Sequence, residues 1–273
     1  MSKQGFHGIC ARVVSEALLL LETMSSRQLA FSEKESPRDV VCSADIALHN
    51  FICQELAKSG GHILSEESIA SAQIAPSSSE NEWVVDPIDG TANYVSGIPF
   101  YGVSVGLVAG GRFKVGAFGM PATSELFYTA ADDASYRNDV RLKASERSLA
   151  ASLVGASFSS RGAQGPWSRE DEFRVFQQIN DSSRGCLRLG SAGASLCYAA
   201  SGKLGAAYGV SVKIWDVVAA LAVASAAGCQ VRVAPSANPL ALHCIVGNGE
   251  SAYQLEAILA KTLKIETWRD SLP

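Results

Sequence analysis

The sequence predicts a mixed α/β (α+β) fold in which helices pack on β-sheets. Up to Leu56 the apolar residues recur with the period of a helix, whereas between about residues 103 and 136 they alternate with a period of two. From residue 152 onward, short apolar strands alternate with helical segments, a pattern typical of an α/β layer. Because 47% of the 273 residues are hydrophobic and only 18% are charged, we expect a large core and no global disorder.

The first half carries two amphipathic helices and then an antiparallel sheet. Apolar stripes at residues 9–21 and 48–56 predict the helices, and Gly60-Gly61 ends the second one. The polar residues 68–82 predict a loop, which we interpret as a candidate lid. Strands are predicted at residues 62–65, 83–85, 103–107, 113–117, 126–128 and 135–136, with a tight turn at Gly110-Gly111.

The second half predicts alternating strands and helices. Strands are predicted at residues 152–156, 186–189, 206–212, 230–233 and 244–246, and helices at 170–179 and from residues 191, 215 and 251. We divide the chain into residues 1–145, with the antiparallel sheet and most candidate metal ligands, and residues 146–273, an α/β layer on the substrate side. Since no long linker separates them, one compact unit is expected.

Charge and cysteine content exclude several classes of function. The formal net charge is −4 and no run of Lys or Arg exceeds two residues, so we expect no nucleic-acid partner. Seven cysteines without a C-x-x-C pair predict free thiols and a cytoplasmic protein. The longest apolar run, residues 217–229, is too short for a bilayer, so no membrane association is expected.

The segment of residues 83–94 is the most informative part of the sequence. Asp86 and Asp89 follow a short buried strand, where Pro87 fixes φ and predicts a turn. A helical segment begins here, so the next two amides are expected to be free to bind an anion. Two carboxylates repel that anion unless a cation intervenes, which indicates a hard metal such as Mg²⁺. The alternative is an Asx-type turn in which Asp89 only caps the helix.

Two further acidic motifs support a metal site. Glu66-Glu67 directly follows a predicted strand, and such an adjacent pair repels itself unless one member binds a cation. Trp215-Asp216 begins an almost wholly apolar helix. Taken alone, the glutamates are also explained as solvated loop acids, and Asp216 as an N-cap.

Four motifs occur in a characteristic order: Asp45, then Glu66-Glu67, then Asp86-Pro-Ile-Asp-Gly-Thr91, and finally Trp215-Asp216. In that order they resemble the inositol monophosphatase family of Mg²⁺-dependent, lithium-sensitive phosphatases. The resemblance covers most of the chain. It implies a layered αβαβα sandwich that is usually a homodimer.

The resemblance also implies a role for each motif residue. Mg²⁺, two or three ions per site, would be held by Glu66, Asp86, the Ile88 carbonyl, Asp89 and Asp216. Glu66 would orient the water nucleophile, and Thr91 and Asp45 would take up its proton without a covalent phosphoenzyme. Substrate contacts would come from Ile88, Asp89, Gly90, Thr91, Gly190, Ser191, Ala192 and Asp216.

Two departures from the family pattern bear on the substrate. Inositol-specific members have a polyol-contacting Glu where this chain has Gly209, and a helpful Arg where it has Leu187, although Arg188 and Arg184 are close by. Three residues align loosely with family positions near the phosphate, with an ordinary loop residue as the alternative for each: Lys34, Ser159 and Ser160.

We therefore predict a phosphoric monoester hydrolase acting on a small polyol or sugar phosphate, with inositol 1-phosphate as the first choice. Fructose 1,6-bisphosphate, histidinol phosphate and nucleotide 3′-phosphates are alternatives within the family. A non-catalytic regulatory binding protein is the alternative from another class. No basic residue lies near residues 90–94 in the sequence, so no pocket for adenine or a second phosphate is indicated.

Overall fold

The computed structural model describes residues 3–24, 31–33, 40–71, 81–159 and 162–272. These residues form a seven-stranded sheet, a five-stranded sheet, a two-stranded hairpin and seven α-helices, which confirms the mixed α/β fold. Within these ranges, none of the helices combines the length and the apolar character needed to cross a bilayer. Lys34, Ser160 and residues 72–80 of the candidate lid lie outside the described residues.

The elements follow the predicted order closely. The helices are α1 (Lys3–Thr23), α2 (Ser43–Ala57), α3 (Thr91–Ser96), α4 (Arg169–Ser182), α5 (Ala192–Ala200), α6 (Ile214–Ala226) and α7 (Gly249–Leu263). The strands are β1 (Phe31–Glu33), β2 (Val40–Cys42), β3 (His62–Ser65), β4 (Glu82–Asp89), β5 (Gly102–Ala109), β6 (Arg112–Met120), β7 (Glu125–Thr129), β8 (Ser135–Arg137), β9 (Val140–Arg141), β10 (Leu153–Phe158), β11 (Gly185–Leu187), β12 (Ala206–Lys213), β13 (Gln230–Pro235) and β14 (Ala241–Gly247). The β1–β2 hairpin has no counterpart among the predicted strands.

The two large sheets differ in topology. The seven-stranded sheet has the order β3-β4-β5-β6-β7-β8-β9, with only the β3–β4 pair parallel. The five-stranded sheet has the order β11-β10-β12-β14-β13, in which β11, β10 and β12 run parallel. The segments that follow these three parallel strands therefore leave the sheet at the same edge, where α/β proteins place their ligands.

The structure has five layers, which pack together through three apolar cores. Along β4 the side chains alternate: Trp83 and Val85 pack with α1 and α2, whereas Val84 belongs to the core around α5 and α6. Helices α5 and α6 lie between the two large sheets, and the outer face of the five-stranded sheet packs on α4 and α7. The predicted αβαβα order is thereby confirmed.

Helix α6 lies very close to the seven-stranded sheet because two glycines face it. Gly106 of β5 and Gly116 of β6 are paired across the sheet. A Cβ atom at Gly116 would lie 2.2 Å from the Ala219 carbonyl oxygen, and one at Gly106 would lie 2.9 Å from the Ala219 amide nitrogen. This close approach fixes the position of the helix whose first turn carries Asp216.

Candidate active site

Strand β4 is longer than predicted, and a β-bulge within it brings two carboxylates together. The sequence predicts a turn at Pro87, but the strand continues to Asp89. It has one residue more than β5 between the pairs Asp86–Ser104 and Asp89–Gly102. In a regular strand, side chains three residues apart point to opposite faces, and the extra residue reverses this relation. The bulge also accommodates Pro87, which has no amide hydrogen to donate to the ladder.

A third carboxylate comes from the first turn of α6. The Ser104 hydroxyl donates a hydrogen bond of 3.1 Å to the carbonyl oxygen of Trp215, which ties this turn to β5 next to Asp86. Asp86, Asp89 and Asp216 each offer a carboxylate oxygen, and these oxygens all lie within 4.8 Å of one another. Residues separated by more than 120 positions thus form one acidic centre.

The N-terminus of helix α5 orients Asp89, one of the three carboxylates of this centre. Asp89 Oδ2 accepts hydrogen bonds from the Ser191 hydroxyl at 2.6 Å and from the Gly193 amide at 2.7 Å. Ser191 also caps α5, because its hydroxyl oxygen accepts the Ala194 amide at 3.0 Å. Asp89 is therefore oriented by the N-terminus of a helix, where negative charge is stabilised.

The three carboxylates are costly to keep ionised together. Burial raises the pKa of Asp86 well above its usual range, and the negative charges of Glu66, Asp216 and Asp89 raise it further. Burial raises the pKa of Asp89 to about 7, although the bonds from Ser191, Gly193 and Ala192 oppose the change. Two charges at this separation repel each other by roughly 3 kcal/mol at an effective dielectric constant of about 20.

The donor set fits a hard divalent cation such as Mg²⁺. All three ligand atoms are carboxylate oxygens, the type of ligand that Mg²⁺ prefers. Within the described ranges, no cationic side chain lies within ion-pair distance of these oxygens. Burial raises the pKa of Asp216 well above its usual range, the charge of Asp89 raises it further, and Lys213 opposes the change only in part. Glu66 begins the short 3₁₀ helix after β3 and lies near enough to raise the pKa of Asp86.

Thr91 and Asp45 form a contact beside this centre. The Thr91 hydroxyl is 3.2 Å from Asp45 Oδ1 and 3.0 Å from the carbonyl oxygen of Ile88, and it can donate to either. Asp45 lies in the first turn of α2, where its Oδ2 accepts the Cys42 amide at 2.8 Å. Burial raises the pKa of Asp45 to about 6, so the carboxylate is mainly ionised near neutral pH and can accept a proton.

Gly90 gives the start of α3 its shape. It has a φ of 90°, and a Cβ atom here would lie 2.9 Å from the Phe100 carbonyl oxygen. The amides of Asn93 and Tyr94 close the first turn on the Gly90 carbonyl oxygen, so the amides of Gly90 and Thr91 precede these bonds.

Asn93 is a residue that the sequence reasoning missed. Its Nδ2 donates hydrogen bonds to the carbonyl oxygens of Phe100 at 2.6 Å and Leu189 at 2.8 Å. Gly190 packs on this amide, because a Cβ atom at Gly190 would lie 2.7 Å from Asn93 Nδ2. Asn93 therefore holds the loop that presents Ser191 to Asp89. The only local signal was a polar residue inside a short helix next to the acidic motif.

Gly209, one of the two positions that depart from the family pattern, has close neighbours that leave no space for a side chain. A Cβ atom at Gly209 would lie 2.8 Å from Cys244 Sγ and 2.9 Å from Val212 Cγ2, so neighbouring side chains fill the space next to β12. Leu187 is 37% exposed on the edge strand β11, and Ser159 directly follows β10. A Glu at position 209 would therefore need more room than this chain offers.

Metal-free protein is expected to lose stability as the pH rises from about 4 to about 7. The pKa of Asp89 is about 7 in the folded chain and 3.8 in its ordinary state, so across this window only the folded chain keeps the proton. The free energy of unfolding then falls with rising pH. Because Mg²⁺ competes with that proton, it should raise the Tm more at about pH 8 than at about pH 5.

Thermal unfolding with a chelator or with MgCl₂ checks this expectation. Asp89→Asn is the control, since it lacks the titrating proton while the other acids are unchanged, so its Tm should depend less on pH. An equal Mg²⁺ effect on wild-type protein at both pH values would contradict the assignment of the acidic centre.

Comparisons with known proteins agree with this geometry. The model of the inositol monophosphatase family matches residues 8–266. The chain is 31% identical over 243 residues to an inositol-1-monophosphatase from Mycobacterium bovis, covering 85% of this chain and 82% of that protein. It is 31% identical over 197 residues to Nus factor SuhB from Pasteurella multocida, covering 71% and 72%.

A solved structure extends the likeness to three dimensions. The extragenic suppressor protein suhB from Bartonella henselae matches with a TM-score of 0.80 and 26% identity, covering 94% of this chain and 99% of that one. The family match spans nearly the whole sequence and includes all four acidic motifs. This chain therefore belongs to the inositol monophosphatase family and is a phosphoric monoester hydrolase.

Proposed function

We propose that this chain is a Mg²⁺-dependent phosphomonoesterase that hydrolyses a small polyol or sugar phosphate, with inositol 1-phosphate as the first candidate. The observation that carries the proposal is the acidic centre of Asp86, Asp89 and Asp216, in which the first two carboxylates are buried and the third is half-buried. Uncompensated carboxylates at this spacing destabilise the fold, so their presence is best explained by a cation that they bind.

Each residue of the centre has a proposed role. The metal ligands are Glu66, Asp86, the Ile88 carbonyl, Asp89 and Asp216. Bound Mg²⁺ supplies positive charge where negative charge develops during in-line displacement. The Gly90 and Thr91 amides hold the phosphate, and Gly190, Ser191 and Ala192 line the substrate side.

Proton transfer is proposed to use the pair beside the centre. Glu66 orients the attacking water molecule, and the Thr91 hydroxyl accepts its proton while giving its own to Asp45 Oδ1, 3.2 Å away. Because Asp45 is mainly ionised near neutral pH, it can receive that proton. No covalent phosphoenzyme is needed.

The finer properties follow the family resemblance. We infer two or three Mg²⁺ ions per site, inhibition by lithium, a homodimer and a cytoplasmic location. The space beside Gly209 is too crowded for the glutamate that contacts the polyol in inositol-specific members. Fructose 1,6-bisphosphate, histidinol phosphate and nucleotide 3′-phosphates therefore belong in the same screen as inositol 1-phosphate.

Phosphate release from a panel of these esters tests the proposal. Purified protein should release phosphate with Mg²⁺, stop when a chelator is added, recover when Mg²⁺ is restored, and be inhibited by lithium. Undiminished release in the presence of the chelator would refute metal dependence. No release from any ester at saturating Mg²⁺ would refute the catalytic role.

A regulatory binding role is the second candidate, favoured by the relative that is named Nus factor SuhB. It predicts capture of a partner in stoichiometric amount together with no turnover on the panel. The acidic centre argues against a purely non-catalytic role, because binding alone gives no reason to keep three carboxylates together when two of them are buried.

A further inference from the structure

A thiol, an imidazole and a hydroxyl meet between α2 and β3. Cys53 Sγ lies 3.6 Å from His49 Nδ1, and the same nitrogen lies 2.8 Å from the Ser65 hydroxyl oxygen. Burial raises the pKa of the Cys53 thiol, and a hydrogen bond with the Ser65 side chain opposes this change, so the Ser65 hydroxyl also faces the sulfur. These three side chains form a group that we call the thiol–imidazole cluster.

The residue spacing on α2 explains why the imidazole and the thiol meet. His49 and Cys53 are four residues apart, so they lie one turn apart on the same face of the helix. Asp45 lies four residues before His49 on that face, about 6 Å away along the helix axis. The cluster is therefore one helical turn from the residue that takes up the proton in the proposed mechanism.

The separation of the sulfur and the nitrogen suits a tetrahedral cation such as Zn²⁺. Zn–S distances of about 2.3 Å and Zn–N distances of about 2.0 Å place the two ligand atoms about 3.5 Å apart at the tetrahedral angle. The observed separation is 3.6 Å, so a cation that replaces the thiol proton needs little rearrangement of either side chain. Thiolate and imidazole are ligands for Zn²⁺ and similar cations, whereas Mg²⁺ prefers oxygen. The cluster therefore differs from the acidic centre in the class of cation that it suits.

The cluster is also partly accessible to solvent. Five of the seven cysteines are buried, but Cys53 and Cys229 are half-buried, as is His49. In the part of the chain that the structure describes, Cys53 is the one cysteine with a histidine nitrogen within hydrogen-bond distance. A cation from solvent can therefore reach a thiol and an imidazole together at this position, with water completing its coordination.

Ser65 connects the cluster to the acidic centre. It ends β3 and directly precedes Glu66, the proposed metal ligand that orients the attacking water. Its amide donates to the Ser68 hydroxyl oxygen at 3.3 Å, and that hydroxyl donates to its carbonyl oxygen at 2.9 Å. A cation on His49 Nδ1 breaks the bond to Ser65 in either tautomer, because it uses the lone pair or replaces the proton of that nitrogen. Ser65 then loses its hydrogen bond to α2 immediately before Glu66.

We propose that His49 and Cys53 bind a thiophilic divalent cation such as Zn²⁺, and that this binding slows phosphate release by freeing Ser65 from α2. The site is separate from the acidic centre and takes a cation of a different class. The inhibition rests on the proposed function, whereas the binding of the cation does not.

Cadmium is the probe for the site, because a cadmium–thiolate bond absorbs in the ultraviolet. Titration with CdCl₂ in excess MgCl₂, which keeps the acidic centre occupied, should give a charge-transfer band that saturates at one cation per chain. The band should be lost in Cys53→Ser, and His49→Gln should need at least about tenfold more cadmium. Cys229→Ser is the matched control and should keep the band, because this second half-buried thiol has no histidine partner in the described ranges. No band in wild-type protein, or an equal band in Cys53→Ser, would overturn the site.

Phosphate release at saturating Mg²⁺ tests the effect on catalysis. ZnCl₂ should lower the wild-type rate by about fivefold or more, and Cys53→Ser should need at least about tenfold more ZnCl₂ for the same loss. Ser65→Ala separates coupling from binding: it should keep the cadmium band, but ZnCl₂ should change its rate by less than about twofold, because no bond to His49 is left to break.

Two results would refute the inhibition: a wild-type rate that the bound cation leaves unchanged, or equal inhibition of wild-type protein and Cys53→Ser, which would assign the effect to the acidic centre. If no ester is hydrolysed, the proposed function fails, and the cadmium band still decides whether His49 and Cys53 bind a cation.

Discussion

Asp89→Asn is expected to abolish phosphate release while the fold persists. The side-chain oxygen of the introduced asparagine can still accept the bonds that Asp89 Oδ2 receives from Ser191 and Gly193. The neutral amide is nevertheless a poor ligand for Mg²⁺. Loss of a metal interaction worth several kcal/mol corresponds to a fall in rate of about 10³-fold or more.

The same variant has a second, opposite effect on stability. Removing one of three clustered charges should raise the Tm of metal-free protein at about pH 8, because burial and repulsion no longer oppose ionisation at that position. At the same time, Mg²⁺ should no longer raise the Tm. Faster unfolding together with lost activity would instead indicate that Asp89 is needed mainly for the fold.

Asp132→Asn is the matched control for this substitution. Asp132 also accepts one backbone amide, from Ala134 at 3.2 Å, and one hydroxyl, from Tyr136 at 2.9 Å, but it lies in the seven-stranded sheet's exposed loop between β7 and β8. Its conversion should leave phosphate release and the Mg²⁺ effect unchanged. Retained activity in Asp89→Asn would contradict the metal assignment.

The acidic centre could be predicted because its residues lie in short motifs with strong local signals. Asp86 and Asp89 flank a proline after an apolar strand, and Asp216 begins an apolar helix, so their residue types and order were sufficient to suggest a metal. The way in which they meet was not predictable. A bulge depends on the register with β5, which is a property of two strands and not of the motif itself.

Residues that act through distant partners were the ones that sequence reasoning missed. Asn93 holds the loop before Ser191 through the carbonyl oxygen of Leu189. This contact joins residues 96 positions apart, so Asn93 carries no periodic or motif signal of its own. Gly116 is similar, because its function is to leave room for α6, which follows it by about 100 residues.

Gly116→Ala is expected to cause a large loss of stability, because it adds a Cβ atom where β6 touches the backbone of α6. The new Cβ atom would lie 2.2 Å from the carbonyl oxygen and 2.8 Å from the carbonyl carbon of Ala219. A side chain could rotate away, but a helix backbone cannot, so α6 must move from the sheet. Overpacking of this kind costs about 3 kcal/mol of unfolding free energy, measured by urea denaturation.

The displacement of α6 should also weaken Mg²⁺ binding, because Asp216 lies in its first turn. Titration of the Tm with MgCl₂ should therefore show a higher half-saturating concentration in Gly116→Ala than in wild-type protein. Gly8→Ala is the control: it lies inside α1 with no atom within 4 Å of its added Cβ, so it should stabilise the chain by up to about 1 kcal/mol. If Gly116→Ala were as stable as wild-type protein, the glycine pair would not be what fixes the position of α6.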